Sequence, residues 1–176
     1  MTVLRAFRYC PNCAAEISVA NNRALCEHCG FQFYDNPRGC TVLLLQNEND
    51  EYLLVRRASE PSRNLLDMSG GFVIEGETLE AGARRELREE LGIEVGELQF
   101  VGSYPDVYPE KDVTYDTIAA AFAGRVSTDL EFKLSEELLS YEFFKYADIP
   151  WKELAFPSLR NLLEDVGSGS ASVKGE

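Results

Sequence analysis

Three glutamates, Glu86, Glu89 and Glu90, stand near the end of one predicted helix, and their spacing constrains the chain more than any other feature. Residues three and four positions apart are neighbours on an α-helix, so the three carboxylates are expected to converge on one patch. Like charges this close raise one another's pKa, and a protein tolerates them mainly when cations lie between them. Because carboxylate oxygens are preferred ligands of magnesium, manganese and calcium, the spacing predicts a divalent-cation site. The alternative is an ordinary solvated face of charged residues.

The residues around these glutamates fit a helix. Thr78 can cap its N-terminus, and Gly92 can end it in the left-handed conformation. Gly82 departs from the pattern, because a glycine inside a helix is about 1 kcal/mol less favourable than alanine. An apolar residue at every fourth position predicts the buried stripe: Leu79, Ala83 and Leu87. The glutamates lie off this stripe and are expected to face a cleft.

The same stretch resembles the signature of the Nudix hydrolase family, GX5EX7REUXEEXGU, where U is an aliphatic residue. Gly71 and Glu77 fill its first two fixed positions. The other fixed positions are filled by Arg85, Glu86, Leu87, Glu89, Glu90, Gly92 and Ile93. The resemblance implies an α/β/α sandwich with a mixed sheet over residues 38–165. It also implies that Glu86, Glu89, Glu90 and the carbonyl of Gly71 bind Mg²⁺ or Mn²⁺, and that Glu77 and Arg85 form an ion pair that fixes the loop onto the helix.

Four of the five cysteines form two Cys-x-x-Cys pairs twelve residues apart: Cys10, Cys13, Cys26 and Cys29. Two such knuckles supply the four thiolates of a tetrahedral zinc site, which is structural because it leaves no open position for a substrate. Disulfides or a redox-active pair are the alternatives. His28 is expected to lie exposed or beside the metal rather than to bind it, and Cys40 to be a small buried side chain.

Length and charge indicate one globular domain with a small accessory module. The predicted division is a zinc ribbon and linker over residues 1–37, a Nudix domain over 38–165 and a disordered Gly/Ser-rich tail over 166–176. We find no membrane span and no signal peptide, so a cytoplasmic location is expected. With a net charge of −13, the chain is expected to bind nucleic acid and anionic lipid poorly.

Hydrophobic patterning predicts an α/β order of elements after the ribbon. The predicted strands cover residues 39–46, 52–57, 98–104, 115–126 and 141–146, and a closing helix covers 158–165.

The resemblance implies hydrolysis of a nucleoside diphosphate linked to another moiety, with water attacking a phosphorus of the pyrophosphate. Glu89 is one candidate for the general base. In many relatives the base lies on a loop further along the chain, where Glu136 and Glu137 stand here. The alternative for those two is an acid at a helix end or in a solvated turn. Glu110 and Asp112 are weaker candidates.

A zinc ribbon before this motif resembles the NADH pyrophosphatases and relatives that cleave FAD or ADP-ribose. NADH pyrophosphatases carry SQPWPFPxS shortly after the motif, and residues 103–111 read SYPDVYPEK here. Asp106 stands in the place of the tryptophan, Val107 replaces a proline and Lys111 replaces the final serine. The aromatic surface for a nicotinamide is therefore altered.

Two groups of side chains are candidates for contact with such a substrate, with ordinary packing or solvation as the alternative. Aromatic faces can stack on a base, which suggests Tyr104, Tyr108 and Tyr115. Arginine forks suit phosphates, which suggests Arg56, Arg57 and Arg63.

The leading hypothesis is an enzyme that releases AMP from a small-molecule dinucleotide. A second enzymatic hypothesis is removal of an NAD-type cap from RNA that touches the ribbon, where Arg5, Arg8 and Arg23 supply local positive charge. The other classes are a non-catalytic ADP-ribose sensor and a zinc-ribbon interaction module. The intact motif favours an enzyme, and the resemblance allows a homodimer. Neither a membrane nor a strongly bound nucleic acid is an expected partner.

Overall fold

The computed structural model describes residues 3–169. Its helices are α1 (Val3–Ala6), α2 (Leu79–Glu86) and α3 (Pro157–Gly167). Its strands are β1 (Ser18–Ala20), β2 (Arg23–Leu25), β3 (Gln32–Tyr34), β4 (Arg38–Gln46), β5 (Tyr52–Arg57), β6 (Leu66–Asp67), β7 (Gln99–Glu110), β8 (Val113–Arg125) and β9 (Leu138–Phe144). Across residues 3–169, every helix is too short or too polar to cross a lipid bilayer.

The chain divides into two compact units. The first, which we call the ribbon unit, comprises Met1–Arg38 and Val107–Thr117. The second, which we call the core unit, comprises Gly39–Asp106 and Ile118–Glu176. The sequence did not indicate that the segment joining β7 and β8 belongs with the ribbon. The domain boundaries predicted at residues 37 and 165 stay predictions.

The ribbon unit is organised by its two cysteine knuckles and a small sheet. Strands β1, β2 and β3 form an antiparallel sheet in that order. Each knuckle is a tight turn: Ala14 N–H donates to the Cys10 carbonyl, and Gly30 N–H donates to the Cys26 carbonyl, both at 2.9 Å. Gly30 has a φ of 76°, a conformation that glycine adopts without a steric penalty.

The core unit is built on a six-stranded sheet with the order β6-β5-β4-β8-β7, and β9 also pairs with β5. Alternate residues of β4 point to opposite faces of the sheet. Leu43 and Leu45 pack in one apolar cluster together with Ala83 and Leu87 of the glutamate helix. Val42 and Leu44 pack in a second cluster, to which α3 contributes Leu159, Leu162 and Leu163. The predicted α/β sandwich, with a helix against each face, is confirmed.

Some predicted boundaries were wrong because pairing between distant strands extends or shifts the elements. β7 continues through residues 105–110, beyond the predicted strand 98–104, because this segment forms one side of a long hairpin with β8. β9 begins at Leu138 and ends at Phe144, and Tyr146–Asp148 is a 3-10 turn. Helix α3 includes Val166 and Gly167, which were predicted to belong to the disordered tail. Ser168 and Gly169 form a turn after the helix, and residues 170–176 of that tail lie outside the described residues.

Candidate active site

The glutamates lie on a helix whose last turn is wider than an α-helix. Thr78 caps α2 as predicted, since its side chain accepts a hydrogen bond from Ala81 N–H at 3.1 Å. From Leu87 to Leu91 the helix is π-helical, and Gly92 ends it with a φ of 68°. The expectation of α-helical spacing throughout was therefore wrong for Glu89 and Glu90. π-turns are rare and occur frequently at functional sites.

The predicted buried stripe is only partly correct. Ala83 and Leu87 are buried, but Leu79 is 44% exposed because it is the first residue of the helix. Leu91, which is fully buried, continues the apolar face instead.

Arg85 connects the glutamates to the preceding loop. Its Nε lies 2.8 Å from Glu77 Oε1, and its Nη2 donates to the Phe72 carbonyl at 2.9 Å. The predicted ion pair between loop and helix is thus confirmed. In addition, Nη1 lies 2.7 Å from Glu86 Oε1 and 2.8 Å from Glu89 Oε2. One guanidinium therefore supplies positive charge to three carboxylates, and their hydrogen bonds raise the pKa of Arg85.

Glu90 differs from its neighbours because it is buried and turned toward the glycine loop. Its Oε2 accepts a hydrogen bond from Ser69 Oγ at 2.6 Å and another from Gly70 N–H at 3.0 Å. Burial raises the pKa of Glu90 to about 7, although both hydrogen bonds favour the charged form. This carboxyl therefore titrates near neutral pH. Ser69 was missed by the sequence reasoning, since nothing in the sequence shows that its hydroxyl meets Glu90.

Glu86 lies between Arg85 and the loop that carries Glu137. Burial raises the pKa of Glu86, and the charges of Glu89 and Glu137 raise it further. The loop is held in place by two backbone hydrogen bonds to the end of the helix, from Lys133 N–H to the Leu91 carbonyl and from Ser135 N–H to the Glu90 carbonyl. The structure thus brings Glu137, an exposed residue, close to the predicted metal ligands.

Two glycines let the loop and the helix approach each other closely. A Cβ on Gly71 would lie 2.4 Å from Glu86 Oε1, and a Cβ on Gly70 would lie 2.1 Å from the Thr41 carbonyl oxygen. The Gly71 carbonyl, a predicted metal ligand, accepts a hydrogen bond from Thr41 N–H at 2.8 Å. A carbonyl oxygen has a second lone pair, which is left for another partner.

Gly82 now has a physical explanation. A Cβ at this position would lie 3.3 Å from Glu77 Oε2 and 3.4 Å from Val73 Cγ2. Glycine therefore leaves room for Glu77 to reach Arg85.

Carboxylates are suitable ligands for a divalent cation, but one oxygen of Glu86 and one of Glu89 accept hydrogen bonds from Arg85. Within residues 3–169, the cysteine cluster is the only group of three or more histidine, cysteine, aspartate or glutamate side chains whose ligand atoms lie close enough to share one ion. The glutamates do not gather as closely, because Arg85 lies between Glu86 and Glu89 while Glu90 faces Ser69. The Glu89 side chain is 59% exposed, against 12% for Glu86, so it is the carboxylate most free to turn toward a ligand.

The structure places the predicted substrate-contact residues in different surroundings. Tyr104 is buried in the cluster that contains α3. Burial, together with its interaction with Asp165, raises the pKa of Tyr104 to about 12. Arg57 pairs with Asp67 at 2.7 Å and donates to the Pro61 carbonyl. Both side chains thus make internal contacts, and their role in substrate binding stays a prediction. Tyr108 is partly exposed and belongs to the ribbon unit.

The four cysteine sulfurs form a metal-binding cluster. All four Sγ atoms lie within 4.8 Å of one another, and the Cys10–Cys29 and Cys13–Cys26 pairs are each 3.6 Å apart. Four sulfurs about 2.3 Å from one zinc would lie about 3.8 Å apart in a tetrahedron, so the spacing fits. Each of the five cysteines is free, which excludes the disulfide alternative. His28 is exposed, and Cys40 is only partly buried.

Comparison with known proteins places these features in a family. A family model described as the NUDIX domain matches residues 35–166. A curated protein named NAD-capped RNA hydrolase NudC, from Shigella flexneri, is 30% identical over 163 residues, which are 92% of this chain and 60% of that protein. The protein of the same name from Escherichia coli O1:K1 / APEC is 29% identical over the same shares. The chain thus spans 60% of the length of these curated relatives.

A solved structure supports the same assignment. The crystal structure of a NUDIX hydrolase from Nitrosomonas europaea has a TM-score of 0.67 and 27% identity, and the match covers 92% of this chain and 93% of that chain. Because the family model covers well over half of the sequence, this chain belongs to the NUDIX domain family.

Proposed function

We propose that this chain is a divalent-metal-dependent hydrolase that cleaves the pyrophosphate bond of a dinucleotide such as NADH, FAD or ADP-ribose and releases AMP. One observation carries the proposal: the exposed carboxylates Glu89 and Glu137 both lie close enough to the partly buried Glu86 to raise its pKa. A structural ion-pair network has no need of a third acid from a distant loop. An acidic cluster that meets solvent on one side is suited to hold cations against a pyrophosphate.

The carboxylates and the base have distinct roles in this proposal. Glu86, Glu89, Glu90 and the carbonyl of Gly71 would hold Mg²⁺ or Mn²⁺, and the bound cation would supply positive charge to offset that of the phosphate oxygens. Glu137 accepts a proton from the water that attacks phosphorus, and the bond between that phosphorus and the bridging oxygen breaks. Glu89 is the second candidate for this base.

Other parts of the chain support the reaction without taking part in it. Arg85 keeps the glutamates in place, and Tyr108 is an aromatic candidate for contact with the substrate. The cysteine cluster holds a structural Zn²⁺, because it has four thiolates and no open position. The proposed location is the cytoplasm. The proposed assembly is a homodimer, as the family resemblance suggests.

The test is release of AMP from NADH, NAD, FAD and ADP-ribose in Mg²⁺ or Mn²⁺. We expect AMP release from at least one substrate and loss of that release in Glu89→Gln. Glu97→Gln removes an exposed charge outside the glutamate cluster and should keep activity close to wild type. If no substrate is cleaved but one is bound tightly, the enzyme proposal fails and a nucleotide sensor takes its place.

A second candidate function is removal of an NAD-type cap from RNA. The observation that favours it is the name of the two curated relatives above, whose similarity covers 92% of this chain, including the ribbon. The test is conversion of NAD-capped RNA to RNA with a 5′ monophosphate, in competition with free NAD. Preference for the free dinucleotide would exclude cap removal as the main activity.

A further inference from the structure

One face of the small ribbon sheet carries an aromatic ring beside an arginine. In the register of β1, β2 and β3, Ala20 lies opposite Arg23, and Arg23 lies opposite Tyr34. Residues directly opposite each other share a face, so these three form one row across the sheet. Gln32 is two residues from Tyr34 and therefore lies on the same face, where its Oε1 accepts from the Tyr34 hydroxyl at 3.5 Å. We call these four residues the outer ribbon face.

The opposite face of this sheet is partly covered by the ribbon itself, since Val19 is 37% and Phe33 36% exposed. Val19, Ala24 and Phe33 form the row on that side. Ala24 is fully buried, and the ring of Phe33 packs edge-on against Phe7 with centroids 5.6 Å apart. On the outer ribbon face Tyr34 is 50% exposed. Tyr34 lies on β3 at the edge of this sheet, with Arg23 as its cross-strand neighbour, and its exposed ring offers a face on which a planar group can stack.

The arginines of the ribbon differ from most arginines of the core unit. Six arginines of the core unit pair with carboxylates: Arg56, Arg57, Arg84, Arg85, Arg88 and Arg125. By contrast, Arg5, Arg8 and Arg23 form no ion pair with any carboxylate in residues 3–169. Arg23 is therefore a local positive charge in a unit that also carries the acids Glu16, Glu27 and Asp35. An unpaired guanidinium beside an exposed ring matches a phosphate beside a base.

We propose that the outer ribbon face binds single-stranded RNA, with a base stacked on Tyr34 and a backbone phosphate held by Arg23. The sheet is too small to read a sequence, and its contacts are of the kind that accept any unpaired base. This inference deepens the second candidate function, cap removal, because it provides a contact for the RNA that follows the cap. The overall charge of −13 keeps the affinity low, so the dissociation constant is about 1–100 µM at low salt.

The experiment measures binding directly, apart from catalysis. The full chain with its ribbon metal is titrated into a short fluorescein-labelled, uncapped, adenosine-rich RNA, without added divalent cation, between about 50 and 200 mM salt. We expect binding that weakens with salt. Tyr34→Ala should weaken it about tenfold, as expected for loss of one stacked base. Arg23→Ala should reduce the slope of log K against log salt by about 0.7, as expected for loss of one phosphate contact.

Matched variants separate binding from folding. Tyr34→Phe keeps the ring and Arg23→Lys keeps the charge, so both should bind better than the alanine variants. Lys152→Ala removes an exposed charge of the core unit and should bind like the wild type. The metal content per chain should equal that of wild type in each variant, which shows that the ribbon is folded.

The inference is overturned by a lack of salt-dependent RNA binding in the wild type, or by binding that Tyr34→Ala and Arg23→Ala both leave unchanged. Binding of a duplex of the same sequence as tightly as the single strand also overturns it, because paired bases cannot stack on Tyr34. Failure of the proposed function looks different. In that case RNA binds and responds to the variants, but no dinucleotide or cap is hydrolysed.

Discussion

The hydroxyl of Ser69 donates a 2.6 Å hydrogen bond to the buried carboxylate of Glu90, and this contact joins the glycine loop to the wide last turn of the helix. Gly70 N–H donates to the same oxygen, so the loop supplies two donors to one carboxylate. Such donors stabilise the charged form, while burial stabilises the neutral form. The site therefore contains a carboxyl whose charge changes near neutral pH.

Stability should depend on pH through Glu90. Its pKa in the folded protein is about 7, above its ordinary value of 4.5, so ionisation is less favourable in the folded state. Glu90 therefore contributes at most about 3 kcal/mol to the free energy of unfolding. This contribution is fully present below about pH 4.5 and is lost as the pH rises through about 7. Urea unfolding at several pH values, without divalent cation, measures this loss. Glu90→Gln should remove this component and Glu97→Gln should keep it; an unchanged profile in Glu90→Gln would contradict the assignment.

Replacement of Glu137 by glutamine should slow hydrolysis strongly. If Glu137 accepts the proton from water, Glu137→Gln should lower kcat by about 10²–10⁴-fold, because the amide cannot act as a base. Glu136→Gln is the matched control, since Glu136 is the adjacent exposed acid, whereas it is the charge of Glu137 that raises the pKa of Glu86. Steady-state kinetics of AMP release compare the two. Equal losses in both variants would argue against a specific role for Glu137.

A side chain at Gly70 should destabilise the core unit. Gly70 has a φ of 152°, and a Cβ there would lie 2.1 Å from the Thr41 carbonyl oxygen, so β4 and the loop must separate. We expect Gly70→Ala to lower the free energy of unfolding by about 2 kcal/mol or more. Gly96→Ala is the control, because a Cβ at Gly96 meets nothing within 4 Å. Chemical denaturation of both variants measures the difference, and similar midpoints would show that β4 accommodates the added atom.

Asp106 should stabilise α3 as a cap supplied from another element. Its Oδ2 accepts a hydrogen bond of 2.8 Å from Ser158 N–H in the first turn, where Phe156 provides no side-chain cap. Asp106→Ala should cost about 1 kcal/mol of stability, while Asp106→Asn should cost less because its oxygen can still accept. Thermal unfolding of the two variants checks the order. A more stable alanine variant would be inconsistent with capping.

Asn12 should strengthen metal binding by the cysteines. Its Nδ2 lies 3.5 Å from the Sγ of Cys29, and its backbone N–H donates to the Sγ of Cys10 at 3.4 Å. Removing a group that hydrogen-bonds to a metal ligand typically lowers metal affinity by about 10–100-fold, so Asn12→Ala should lose zinc to a chelator sooner than the wild type. Asn22→Ala, an exposed asparagine in the same unit, should behave like the wild type. Competition with a chromogenic chelator provides the measurement, and equal zinc retention in both variants would refute the role.

Local sequence determined the features that depend on neighbours in the chain. The spacing of the cysteines predicted the metal cluster. The Thr78 cap followed from its hydroxyl and the Gly92 stop from its lack of a Cβ, and hydrophobic runs predicted most strands. The glutamate motif was recognisable because its residues are close in sequence. Each of these rests on short-range geometry, which a sequence contains directly.

The tertiary structure decided how these parts meet. Nothing in the sequence shows that Ser69 faces Glu90, that Glu137 approaches Glu86, or that Tyr104 is buried against α3. These contacts join residues 21, 51 and more positions apart, and they depend on how the loops and sheet pack around the helix. The wide turn over Leu87–Leu91 belongs to the same class, because the hydrogen bonds from the Lys133 and Ser135 amides to its carbonyls come from a distant loop. Sequence therefore determined which groups are present, whereas packing decided their burial, pKa and partners.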